Sequence, residues 1–214
     1  MIAVVFALAF EAAGFRESRP GVHTLILGRA GSMAVGILEQ SMARHGKPEA
    51  VILAGLAGGL DPSLQVGDQI LFVPGDGGKP GDAARAIRVP PWREGAIITI
   101  PRIAGRASEK QPLHKKTGGA ACDMETASVS AFCDGMGIPF LTLRAISDTA
   151  DRDLPVSSLI NPRTGKPDVA GLVFELARHP KKIPAFAGML ADAKTARDNL
   201  ASGLRVLLDA LATT

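Results

Sequence analysis

Tyrosine is absent from this 214-residue chain and tryptophan occurs once, so that even with eight phenylalanines the aromatic share is only 4%. Proteins that hold single-stranded nucleic acid stack its bases on exposed rings beside a basic groove. A chain this poor in rings is unsuited to that work, and no nucleic-acid partner is expected. Only two cysteines occur, Cys122 and Cys133, and they lack CxxC spacing. They imply no disulfide framework and read as reduced core residues. The four histidines, His23, His45, His114 and His179, are scattered, with no HxxxH pair and no cluster with cysteine. No metal site is therefore expected. The longest stretch free of charge is Ala50 to Leu60, far short of the roughly 20 apolar residues of a membrane-spanning helix. Met1 to Phe10 is apolar but has no positive flank and runs into Glu11, so it reads as a buried strand rather than a signal peptide, with the cytoplasm as the expected location.

What is present is the composition of a globular protein, 46% hydrophobic and 21% charged, with enough apolar surface for a sizeable core. The length suits one domain over residues 1–214. Net charge is mildly positive, +3. Its one concentrated source, Arg102, Arg106, Lys110, His114, Lys115 and Lys116, is spaced along one face of a short helix and reads as a solvated face.

Apolar runs of strand length alternate with helical patterns along the whole chain. Strands are expected at Ile2 to Ala9, Val22 to Leu27, Ala50 to Ala54, Gln69 to Val73, Ala96 to Ile100, a short piece ending at Cys122, and Phe140 to Ile146. Helices are expected from Met33 to Met42, near Ser108 to Lys116, from Asp123 to about Met136, from Val169 to Arg178, and over a C-terminal helix in 181–214. Gly55 to Leu60 reads as a flexible turn, and residues 74–93, rich in Gly, Pro, Asp and Arg, as a surface excursion. Such alternation, with strands apolar on both faces, predicts an α/β three-layer sandwich: a central twisted sheet, mostly parallel but mixed, flanked by helices.

Ligands in such folds bind beyond the carboxyl ends of the strands. That rule selects Glu11, Gly28 to Ser32, Gly55 to Leu60 and Asp148 to Asp151, joined by Asp123 to Glu125 at a helix start. Carboxylates beside glycine turns, without metal-binding histidines or a Walker lysine, point to acid–base chemistry on a small polar ligand.

Three stretches together, Ala57 to Asp68 (AGGLDPSLQVGD), Asp123 to Thr126 (DMET) and Arg144 to Asp151 (RAISDTAD), resemble the purine nucleoside phosphorylase and methylthioadenosine/S-adenosylhomocysteine nucleosidase superfamily. The resemblance covers most of residues 1–151. Softer motifs, Ala7 to Ala12, Gly55 to Leu60, Asp123 ahead of Met-Glu, and Arg152 to Pro155, are similar to the hopanoid-associated branch, which acts on adenosylhopane. The resemblance implies a nucleoside phosphorylase-like fold and cleavage of a purine nucleoside's glycosidic bond, releasing adenine from a 5'-substituted adenosine such as methylthioadenosine, S-adenosylhomocysteine or adenosylhopane.

By that resemblance Asp148 is the general acid at the purine N7, and partial burial is expected to keep a proton on it. Glu125 accepts hydrogen bonds from the ribose hydroxyls, Met124 packs on the ribose, and Glu11 orients or deprotonates the attacking water. Arg144, inside a buried-strand pattern, needs a carboxylate partner. Ala57 and Gly58 allow close approach of the ligand to backbone, and Ser147 adjoins the acid. Phe10 is the best-placed ring for stacking, with Trp92 next. Each residue also has an ordinary structural reading: Asp148 as a turn aspartate, Glu125 as a first-turn glutamate, Met124 as a core methionine.

The nucleophile stays open between water and phosphate. Leu56 stands where a hydroxyl would help to hold phosphate, which favours hydrolysis and no cofactor. Arg29 and Ser32, in a turn that opens a helix, are candidate phosphate ligands that would make phosphate a co-substrate, or simply an ordinary strand-to-helix turn. A catalytically silent nucleoside-binding module is the alternative of another class. The C-terminal helix carries an apolar stripe, Phe186, Met189, Leu190, Ala193, Leu200, Leu204, Leu207 and Leu211, read as core or as a subunit interface of a homo-oligomer, a dimer or higher. For a lipid substrate it would also offer a peripheral membrane contact.

Overall fold

The computed structural model describes residues 1–15, 18–28, 33–75, 78–155 and 168–213. Its centre is an eight-stranded mixed sheet. Five strands come first along the chain: β1 (Ile2–Phe6), β2 (Val22–Ile26), β3 (Ala50–Gly59), β4 (Gln69–Phe72) and β5 (Trp92–Glu94). Three short or late ones follow, β6 (Ile97–Thr99), β7 (Ala121–Asp123) and β8 (Phe140–Asp148). The main path runs β2-β1-β3-β8-β4-β5, parallel except where β4 meets β8. A side branch leaves the end of β3, where β7 pairs antiparallel at Gly58 and Gly59 and carries β6.

The helices are α1 (Ala9–Ala12), α2 (Met33–His45), α3 (Gly78–Ala86), α4 (Ala107–Thr117), α5 (Thr126–Gly135), α6 (Val169–Arg178) and α7 (Ile183–Thr213). Side chains alternate across a strand, and both faces of β1 and β3 are apolar. Val4, Phe6, Ile52 and Ala54 therefore face a core closed by α7 and α3, while Ala3, Val5, Val51 and Leu53 face one closed by α2 and α5. This is the three-layer arrangement expected from the sequence.

Four boundaries differ from expectation. β1 stops at Phe6, and Ala9–Ala12 forms a short helical turn, because the Leu8 amide donates to Glu11 Oε2 (2.9 Å) and folds the chain back at the sheet end. Gly55 to Gly59 is not a flexible turn but the continuation of β3. Small residues leave its edges accessible, so β8 pairs along one side and β7 along the end of the other. Residues 74–93 are not a surface excursion throughout: Pro80, Gly81, Ala83 and Ala84 of α3 are buried, and Trp92 belongs to the core. Asp123 closes β7, and its helix begins only at Thr126.

The C-terminal half of the apolar stripe on α7 is core. Leu200, Leu204, Leu207 and Leu211 are buried with Leu141, Leu143 and Ala145, which leaves no stripe to face a membrane along that half. No described helix is long and apolar enough to cross one. Leu204 is fully buried, so Leu204→Ala is expected to cost about 3 kcal/mol through lost burial and a cavity. Urea unfolding measures this; a loss under about 0.5 kcal/mol, as at a surface site, would contradict the core placement.

Candidate active site

A cavity of about 370 Å³ opens at the carboxyl ends of the strands, within the ordinary size range of small-molecule sites. Its walls include Glu11 and Phe10 after β1, Ala57 and Gly58 of β3, Met124 and Glu125 after β7, and Ser147 and Asp148 of β8. Loop ends from four strands thus converge there, although the residues are distant in sequence. The register between β3 and β8 shifts between Ala57 and Gly58, which sets Gly58 opposite Asp148.

Glu11 is buried, and both of its carboxylate oxygens are engaged. Oε2 accepts from the Leu8 amide and Oε1 from the Leu56 amide, each at 2.9 Å. Burial pushes its pKa up, the Arg144 guanidinium pulls it back, and nearby Glu125 raises it again, leaving it at about 7. A carboxyl group so placed is half ionised near neutrality, the condition for a general base.

Arg144 is fully buried in β8. Its Nη2 lies 2.5 Å from Asp123 Oδ2 and 3.4 Å from Glu125 Oε2. Burial works against the charge, but Asp123, Glu125 and Glu11 outweigh it and hold the guanidinium above its usual range. Nε and Nη1 are buried and make no hydrogen bond. Buried charged donors with no acceptor among the described residues are an unusual cost in a folded protein, and they lie behind the cavity wall, which Arg144 does not line. Gly55 lets Arg144 and Glu11 come close, since a Cβ there would collide with Nη1 and lie 2.6 Å from Glu11 Oε1.

Asp123, which the sequence motif contained but which was not singled out as a site residue, organises this side. Oδ1 accepts from Thr99 Oγ1 (2.9 Å), and the carboxylate also takes the Thr126 amide and hydroxyl at the start of α5. It thereby fixes Glu125, the residue just before that helix, together with Arg144. The carboxylate partner expected for Arg144 is chiefly Asp123, with Glu125 farther away.

Asp148, 7% exposed, is not a carboxyl group in apolar surroundings, as the expectation of a proton kept by burial assumed. Ser147 Oγ donates to Oδ1 (2.8 Å), with the Ala57 carbonyl 3.3 Å away as its other acceptor. Oδ2 forms a buried ion pair with Lys110 Nζ from α4. This corrects the solvated-face reading of that basic helix: Arg102, Arg106, Lys115 and Lys116 are exposed, while Lys110 is completely buried. Helical spacing alone does not say which turn of a short basic helix faces the protein.

The rings also rearrange. Phe10 lines the cavity, with the Arg197 guanidinium 5.2 Å from its ring centre. Trp92 is in the core and away from the site. Phe186, assigned from sequence to the α7 stripe, is the second ring of the cavity wall. Arg29 and Ser32 lie outside the described residues. Among the described residues no group of His, Cys, Asp and Glu is placed to hold a metal ion.

Residues 79–164 match the family profile described as Phosphorylase superfamily. The 5'-methylthioadenosine/S-adenosylhomocysteine nucleosidase of Shewanella oneidensis is 30% identical over 156 residues, which cover 59% of this chain. The match spans 66% of that relative's length, just under two thirds. Among solved structures, the nucleosidase of that name from Helicobacter pylori, complexed with a pyrrolopyrimidine-bearing pyrrolidinol, has a TM-score of 0.66 at 18% identity, covering 97% of each chain. The futalosine hydrolase of the same organism has a TM-score of 0.63, also at 18% identity and 97% of each chain. At these identities the two structures establish a shared fold.

Proposed function

We propose that the chain is a member of the phosphorylase superfamily, whose profile it matches over residues 79–164, and that its cavity cleaves the N-glycosidic bond of a purine nucleoside by hydrolysis, releasing adenine from a 5'-substituted adenosine. The observation that carries the proposal is the presence of a buried carboxyl base, Glu11, and a buried carboxylate acid, Asp148, on the walls of one cavity with Glu125. Loss of the base leaves positive charge on the ribose ring, so the reaction needs a proton for the purine and a nucleophile for the anomeric carbon.

Asp148 delivers the proton to N7. Glu125 accepts from the ribose hydroxyls, and Met124 packs on the sugar. Glu11 deprotonates the attacking water, and Arg144 acts on it from behind the cavity wall by lowering the proton affinity of Glu11. Water is favoured over phosphate because Glu11 and Glu125 are carboxyl groups on the nucleophile's side, where a phosphate dianion would be repelled. Phe10, Phe186 and the backbone at Ala57 and Gly58 hold the base and sugar.

Beyond the sugar the cavity is walled by Ile103, Leu154, Leu172 and Leu190. Apolar side chains outnumber the two charged ones on this lining, Arg102 and Asp168, which supports an adenosylhopane-type substrate over the charged amino-acid end of S-adenosylhomocysteine. Free adenine is measured after incubation with methylthioadenosine, S-adenosylhomocysteine and an adenosine bearing a polycyclic hydrocarbon at C5', each with and without phosphate. Adenine release without phosphate, fastest for the hydrocarbon substrate, is the expected result. A strict phosphate requirement would replace hydrolysis with phosphorolysis, and tight nucleoside binding without adenine release would make the protein a binding module.

A further inference from the structure

Lys110 has no place in the chemistry just described, yet it is the most completely buried lysine position a site could have: no part of its side chain meets solvent. An ammonium has three N–H donors, and each has an acceptor. They are Asp148 Oδ2, the Thr149 carbonyl at 2.8 Å and the Arg152 carbonyl at 3.1 Å. All three acceptors belong to the stretch Asp148–Arg152 that carries the proposed acid. Lys110 is not part of the cavity wall, so it reaches the ligand only through Asp148.

The pair creates a chemical difficulty. With Ser147 donating to one oxygen and Lys110 to the other, Asp148 is dressed as a carboxylate, whereas departure of a purine requires an acid. Other charged or titratable groups near the pair do not supply the proton. The Cys122 thiol faces it from β7, but burial, with Asp148 adding to the effect, pushes that thiol up to about 12. Asp123, from the same strand, is engaged by Arg144 and Thr126. Asp151, which feels the Lys110 charge, is an exposed carboxylate held below its usual range by the Thr149 hydroxyl. The ammonium is the proton-bearing acid in contact with Asp148.

We propose that Lys110 is the proton reserve of the site, a positioning residue whose ammonium supplies, through Asp148, the proton that reaches the leaving purine. The proposal rests on the pocket's cleaving a purine nucleoside. As the bond between C1' and N9 breaks, its electron pair moves onto the purine. Asp148 takes a proton from Lys110 and passes it to N7, ending again as a carboxylate. Water adds its oxygen to C1' and gives its proton to Glu11. The site ends with a neutral Lys110 amine and a neutral Glu11 carboxyl, the same total charge with which it began. One proton returned from Glu11 to Lys110 through solvent resets it.

The test uses Lys110→Met, which keeps the length and removes the charge, and Lys110→Gln, which can still donate to Asp148 but holds no transferable proton. Steady-state adenine release is measured from about pH 5 to about pH 8, with thermal melts as a check on folding. In both variants kcat is expected to fall about a hundredfold or more near pH 8, with KM changed less than about threefold. The ratio of variant to wild-type kcat should climb towards one in acid, where solvent supplies the proton in place of the ammonium. Taking the ratio cancels the protonation of Glu11. Wild-type kcat in both folded variants near pH 8 would overturn the proposal, and so would an equal loss at every pH. If Lys110→Met does not fold, Lys110→Gln alone decides. An inactive wild type would overturn the hydrolytic reading itself, a result distinct from either.

Discussion

Replacing Arg144 with methionine is expected to cost about 3 to 5 kcal/mol of stability and to abolish adenine release. The guanidinium is fully buried and lies among three acidic side chains, Asp123, Glu125 and Glu11. Methionine fills the space but leaves those groups without a cation, and an uncompensated buried charge is far costlier than a lost surface pair. The loss should depend on pH. Arg144 is the main influence holding Glu11 down against burial, so in the variant Glu11 binds its proton more tightly and the charge conflict grows as pH rises. Urea unfolding at pH values below and above neutrality would therefore show a larger deficit on the alkaline side. A variant that unfolds like the wild type above neutrality would refute the role given to this residue.

Glu11→Gln should separate stability from activity. The native pKa of about 7 stands above the ordinary value of 4.5, so between these values the folded state holds more protons than the unfolded one. The stabilisation linked to the bound proton is fully present below about pH 4.5 and is lost as pH rises through about 7, amounting to about 3 kcal/mol. Glutamine cannot ionise and does not suffer this loss. In acid the variant should lie below the wild type, because the glutamine NH2 cannot accept from one of the Leu8 and Leu56 amides, and it should gain on the wild type as pH rises through neutrality, while kcat falls by a factor of about 10² to 10⁴ through loss of the base. The wild-type kcat/KM should decline on the acid side with an apparent pKa near 7, the same group being responsible. Parallel stability curves for the two proteins, or an acid limb that persists unchanged in Glu11→Gln, would exclude a neutral buried Glu11.

These two variants probe opposite sides of one electrostatic arrangement. Gly55 lets Arg144 and Glu11 approach each other, Asp123 fixes the guanidinium from β7, and the Leu8 and Leu56 amides hold the carboxyl group. Across the cavity, Lys110 and Ser147 hold Asp148. The proposed base and acid are each held by neighbouring groups, a condition for keeping reacting groups in a fixed geometry.

By itself the sequence determined the layered α/β architecture and the strand ends to which Glu11, Glu125 and Asp148 belong. Strand and helix periods are local properties, and ligands in such sheets collect at carboxyl ends. It also indicated that Arg144, a charge inside an apolar strand, required an anionic partner. The partner itself, Asp123, depended on which strand ends met, and pairing between β3, β7 and β8 settled that. The same pairing turned Gly55 to Gly59 from an apparent loop into strand, since small residues are extended when neighbours on both sides supply hydrogen bonds. Tertiary packing moved Trp92 into the core and brought Phe186 to the cavity. Lys110 shows the limit most clearly: its neighbours along α4 include exposed basic residues, and only the docking of that helix against the Asp148–Arg152 stretch decided that this one ammonium is buried against an acid.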